Sequence, residues 1–171
     1  MIQTFAASVM VIISSLLLNA CSDYEVKFNE RPIYTPKPIF TDYRIPDSAL
    51  EACIEQTITD KRVSDSGDLR VLICTNAGIT SLKGLSTFSH LEQLNLAHNA
   101  IIDVQALAAL PQLRQLDLSF NSIQDSGPLT TLAYLEKLNL KGNAALDCDQ
   151  AARLQSISNA IITLPKHCSP L

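Results

Sequence analysis

The first 20 residues of this 171-residue chain hold no lysine, arginine, aspartate or glutamate. Nowhere in the chain do basic residues cluster, and the net charge is −4 with a pI near 5.3. A nucleic-acid partner is therefore not expected, because it needs a concentrated positive surface. No nucleotide-binding loop is present. The five cysteines never stand as CxxC and the three histidines are scattered. That spacing speaks against zinc, and no cofactor is expected. Asp65, Gly67 and Asp68 lack the ligand spacing of a calcium loop, so residues 61–68 read as a polar connection. The apolar run 5–18 is shorter than the roughly 20 residues of a spanning helix.

Leucine on a fixed period is what the chain does have. Leu91, Leu94, Leu96, Asn99 and Ile101 recur as Leu113, Leu116, Leu118, Asn121 and Ile123, then as Leu135, Leu138, Leu140 and Asn143. The step is 22 residues each time. A period of this length marks a solenoid. In Leu94-Asn95-Leu96 the side chains alternate, as in a strand. Leu94 and Leu96 point inward; Gln93, Asn95 and Ala97 point out. One copy cannot bury its leucines alone, so copies stack and their strands form a parallel sheet. Asn99, Asn121 and Asn143 fall where the chain leaves the strand, and a buried amide there can satisfy backbone groups. Val104, Leu107, Leu110, Leu129 and Leu132 supply anchors from the convex side. Ser126 and Gly127-Pro128 predict a tighter, non-helical convex segment in that copy.

These copies resemble the leucine-rich repeat family, in the 22-residue class seen in bacterial internalins. The resemblance implies an α/β solenoid: a short right-handed superhelix with a parallel concave sheet, an N-terminal helical cap and a C-terminal cap. It also implies an asparagine ladder inside the turns. It names a scaffold for binding and no ligand.

The flanks fit that scheme. Residues 47 to about 58 read as a helix, capped by Asp47 or Ser48, with Leu50, Cys53, Ile54, Thr57 and Ile58 on one face. Ser48 and Glu51 stand at capping-box spacing. A bare solenoid end needs a cover, and this helix sits where one belongs. Leu69, Leu72, Cys74, Ile79, Leu82, Leu85 and Phe88 form a looser first copy. At the far end Asp147 starts a helix to about 159, followed by an extended segment at 161–164. The expected organisation is signal peptide 1–20, tether 21–46, N-terminal cap 47–68, repeats 69–146 and C-terminal cap 147–171.

Leu18-Asn19-Ala20-Cys21 resembles the lipobox of bacterial lipoproteins. It implies cleavage before Cys21 and acylation of that residue, giving a stable membrane anchor. An uncleaved anchor is the alternative. Ser22, rather than Asp, follows the cysteine, which in Gram-negative lipoproteins implies export to the outer membrane. Residues 22–46 hold four prolines, balanced charge and five of the nine aromatics. Proline at that density favours an extended spacer. The aromatics suggest that residues 33–45 lie along the folded domain; a disordered linker throughout is the other reading.

With Cys21 taken for the lipid, Cys53, Cys74, Cys148 and Cys168 remain, an even number in an exported chain. Three pairings are possible. The cap positions favour Cys53 with Cys74 and Cys148 with Cys168, one staple per end; free buried thiols are the alternative.

Candidate ligand contacts are the outward strand positions: Gln93, Gln115 and Lys137; Asn95, Asp117 and Asn139; Ser119 and Lys141; His98 and Phe120. Phe120 reads equally as a packing residue. His98, Asp117 and Ser119 invite comparison with a catalytic triad, but nothing evident would orient the acid or form an oxyanion hole. The expected function is non-enzymatic: binding of an unidentified protein or peptide at the envelope, or else a structural role without a specific ligand. Four strands give a concave face of roughly 20 by 17 Å, well short of the roughly 800 Å² per partner of a standard interface. A small or weakly held ligand, or extra surface from loops, is therefore expected.

Overall fold

The computed structural model describes residues 26–28, 31–34, 40–157 and 159–168. The lipobox and Cys21 lie outside the described residues. The chain divides into two compact units, 1–38 and 39–171. In the first, β1 (Val26–Phe28) pairs antiparallel with β2 (Arg31–Tyr34). Part of the expected spacer is thus a short strand pair, with Pro32 inside β2.

The second unit opens with residues 40–45. Ile45 is buried, and the rings of Phe40 and Tyr43 meet Phe88 at 6.1 and 5.5 Å. Helix α1 (Ser48–Lys61) follows and buries Leu50, Ile54 and Ile58. Its cap is Asp47, whose Oδ1 accepts from the Ala49 and Leu50 amides at 3.1 and 3.0 Å. The other oxygen, Oδ2, accepts from Thr80 N, Thr80 Oγ1 and Ser81 N, each at 2.9 Å. One carboxylate therefore starts the helix and ties it to the first repeat, a job that a Ser48 cap could not do. Burial alone would raise the Asp47 pKa, but the hydrogen bonds from Thr80, Leu50 and Ser81 outweigh it and hold the group at about 2.

Five three-residue strands then make one parallel sheet: β3 (Val71–Ile73), β4 (Gln93–Asn95), β5 (Gln115–Asp117), β6 (Lys137–Asn139) and β7 (Ile161–Thr163). Register follows the repeat, with Leu72 beside Leu94, Leu94 beside Leu116 and Leu116 beside Leu138. The last step, Leu138 to Ile162, is longer because helix α2 (Cys148–Ile157) occupies the convex side. The extended segment expected at 161–164 in the cap is thus a fifth strand of the sheet.

Short 3-10 turns cross the convex side at Leu85–Phe88, Gln105–Ala109 and Gly127–Thr131. The Gly127-Pro128 copy does not differ from its neighbour, contrary to the expectation of a non-helical segment there. Proline fits the first turn of such a helix, where its missing N–H has no partner to lose. Ser126 sits fully buried in the column of Leu82 and Val104, and its hydroxyl has no hydrogen-bond partner.

The inner asparagines bond as the sequence suggests. Asn121 Nδ2 donates to Leu96 O and Leu118 O at 2.9 and 3.0 Å, and its Oδ1 accepts from Ile101 N at 3.0 Å. Asn143 repeats this one turn later, and Asn99 one turn earlier. Each side chain bridges its own turn to the preceding one. Disulfides close both ends, Cys53–Cys74 and Cys148–Cys168.

Candidate functional site

The outward positions of β3 to β7 line a concave groove of about 390 Å³. Its two flanks are apolar, with Ile73 62% and Ile161 71% exposed. The middle is polar and divides into two columns with different chemistry.

Gln93, Gln115 and Lys137 form the first column. They are exposed, and none of the three side chains has a partner among the described residues. Their amides and ammonium are free to meet a ligand. Asn95, Asp117 and Asn139 form the second, half-buried column. Asn95 Oδ1 accepts from Ala97 N at 3.0 Å and Asn139 Oδ1 from Lys141 N at 3.1 Å. Asp117 Oδ1 accepts from Ser119 N and Ser119 Oγ at 2.9 and 2.6 Å. Asn139 Nδ2 donates to Asp117 Oδ2 at 3.2 Å. These side chains close turns on their own strand ends, as Asx residues do. Part of their bonding capacity is already used.

Two expected outward positions are not outward. Ala97 is 6% and Ser119 4% exposed. The strands are only three residues long, so alternation ends at Asn95 and Asp117, and the chain curls inward. Ser119 is removed from the candidate contacts on this ground. It hydrogen-bonds Asp117 directly, with no histidine between them. The His98 ring instead stacks on Phe120, centroids 4.4 Å apart and planes 12° from parallel. That arrangement does not relay a proton from serine to carboxylate.

His98 and Phe120 stand with Asn76 and Gly142 in a column where every residue has positive φ, from 53° to 81°. One ring face of Phe120 lies on His98. Gly142 lies so close to the ring that a Cβ there would come within 2.6 Å of it. Phe120 therefore packs within this column while 43% of it remains exposed, so it still belongs to the candidate contacts. Lys141 Nζ stands 5.8 Å from the ring centroid.

A further column was not recognised in the sequence. Arg70, Glu92, Arg114 and Glu136 follow the lead leucines at the same 22-residue step, and they pair as Arg70–Glu92 and Arg114–Glu136. The alternating signs were readable. They are exposed pairs, each worth under about 1 kcal/mol. Shifting a turn by one repeat would oppose like charges, so they favour the observed register.

Among the described residues, Cys148, His167 and Cys168 gather potential metal ligands within 4.8 Å. The two sulfurs are joined in the disulfide, and His167 Nε2 lies 3.2 Å from Leu146 O. As it stands the group is a staple. No helix among the described residues is long and apolar enough to cross a membrane.

The turns, the parallel sheet and the asparagine column together define a short leucine-rich repeat solenoid, and the leucine rich repeat family matches residues 68–123. Its form is that of the bacterial internalins. Internalin C2 of Listeria monocytogenes aligns at 25% identity with a TM-score of 0.60, over 79% of this chain and 62% of that one. An internalin (InlF) of the same organism aligns at 24% identity with a TM-score of 0.50, over 71% of this chain and 44% of that one. The chain thus spans less than two thirds of the length of either internalin. No curated protein sequence matches it.

Proposed function

We propose that this protein is a non-enzymatic, envelope-anchored leucine-rich repeat lipoprotein that binds a protein or peptide segment on its concave face. The observation carrying this reading is the unpartnered column Gln93, Gln115 and Lys137 in a groove flanked by exposed Ile73 and Ile161. Free amides and one ammonium give orientation, and the flanking isoleucines give apolar contact at both ends. Five strands at about 4.8 Å spacing span roughly 19 Å. That width suits an extended segment of about six residues and falls short of a standard protein interface.

Anchoring rests on Leu18-Asn19-Ala20-Cys21, with Cys21 acylated, and Ser22 directs the protein to the outer membrane. Mass spectrometry of the N-terminal peptide of mature protein tests this, and an unmodified Cys21 contradicts it. Crosslinking in intact cells tests the binding face. Partners captured by the parent chain should be lost in Gln93→Ala/Gln115→Ala/Lys137→Ala, with folding unchanged. Undiminished capture would leave the protein a structural envelope component.

A further inference from the structure

The N-terminal cap carries another cavity, lined by residues none of which lines the concave groove. It measures about 320 Å³ and is lined by Phe40, Tyr43, Glu51, Glu55, Ile58 and Thr59. That volume is at the low end of ligand pockets, enough for one side chain. Its walls are of two kinds. Phe40 and Tyr43 bring aromatic rings whose centroids are 5.6 Å apart. Glu51 and Glu55 lie four residues apart on α1, so their carboxylates project from one helix face. Among the described residues neither carboxylate has an ion-pair partner. Buried Ile58 stands behind them.

We propose that this cavity is a receptor for an organic cation, specifically the guanidinium of an arginine presented by a partner chain. Aromatic faces and carboxylates recognise the same ligand by two independent routes, the ring quadrupole and direct ion pairing. Arginine suits the combination better than lysine, because its planar head stacks on a ring while its N–H groups reach a carboxylate. The negative potential is felt by Tyr43, whose pKa is raised first by burial and then by Glu55 and Glu51. It is independent of the concave face.

The test is NMR titration of the full folded chain with an acetylated, amidated Gly-Arg-Gly tripeptide. The comparator is the same peptide with neutral citrulline in place of arginine. The arginine peptide should give saturable shifts at Phe40, Tyr43, Glu51 and Glu55, and the citrulline peptide should bind at least tenfold more weakly. Glu51→Gln/Glu55→Gln should lower the arginine-peptide affinity at least tenfold, with amide shifts beyond residue 90 unchanged. The single Glu55→Gln, at an exposed position, should lower it to a lesser degree and covers any folding defect of the double variant. Equal binding of both peptides, no saturable shift, or full binding by both Gln variants overturns the proposal. Two further arms bound the ligand class. Calcium chloride reproducing the shifts would mean a carboxylate site without aromatic recognition. Agmatine binding tenfold tighter than the peptide would mean a free small cation. Either result also overturns it.

Discussion

Two columns of amide-type side chains run the length of this solenoid at the same 22-residue step. Asn99, Asn121 and Asn143 lie inside the turns; Asn95, Asp117 and Asn139 lie on the concave face. The inner column bonds to backbone 20 and 25 residues earlier, so each side chain joins two turns. The outer column bonds to backbone only 2 residues on, within one strand end, and its one link between turns among the described residues is the side-chain contact of Asn139 with Asp117. Side-chain chemistry alone does not distinguish them. Burial and the span of each bond do: losing an inner asparagine strands backbone groups away from water, whereas water reaches the outer ones. Period tells where a residue sits, and the neighbouring turn decides what it does.

Several perturbations sharpen that contrast by marking what lies outside it. Removing a staple should cost most. Loops of about 20 residues give on the order of 3 kcal/mol per disulfide. Cys53→Ser/Cys74→Ser should speed hydrogen exchange over residues 47–88 and leave 135–157 nearly unchanged, since repeats contact only their neighbours. Exchange rising evenly along the chain would show that the array unfolds as one block, and the columns could not then be probed separately. Asp47 comes next, as an acidic counterpart of the inner asparagines. Its folded pKa of about 2 lies below the ordinary 3.8, so its stabilisation is present above pH 4 and is lost as pH falls toward 2. About 1–2 kcal/mol should disappear in that window after solvent screening, and Asp47→Asn should flatten the acid limb of the stability curve. An unchanged limb would separate the cap from this carboxylate. Ser126 should give a gain of about 1 kcal/mol on replacement by valine, because its buried hydroxyl has no partner. Val104 already occupies the equivalent place with similar backbone angles, φ −109° and ψ 11° against −96° and 0°. A lowered urea midpoint for Ser126→Val would mean that the column tightens toward its C-terminal end.

Much of this arrangement was legible in the sequence because the solenoid repeats its physics. Leucine spacing gave strands, register and the inner asparagines directly. Cysteine parity and cap position gave both disulfides. What was not legible depends on how the chain leaves each strand. Ser119 looked outward by alternation, but strands of three residues end before reaching it, and its hydroxyl turns to Asp117. Phe120 read equally as a packing residue and a contact, and its stacking on His98 depends on the neighbouring turn; Gly142 at the same repeat position was the hint that this column has positive φ. The extended segment at 161–164 was readable, but its pairing with β6 was not, because the step is 24 residues, not 22, once α2 replaces the short convex turn. Asp47 could be read as a cap, but its second oxygen reaches residues 33 and 34 positions away, which local spacing does not reveal.

Urea unfolding of Asn121→Ala beside Asn95→Ala tests the contrast between the columns most directly. The inner substitution should lower stability by about 1–3 kcal/mol, since Leu96 O, Leu118 O and Ile101 N lose a buried partner. The outer one should cost no more than about 0.5 kcal/mol, because water can replace the single bond to Ala97 N. Both should keep the slope of the parent, so that the shift in midpoint reports stability. Equal losses for the two variants would contradict the account, placing the concave column in the structure of the solenoid rather than at its surface.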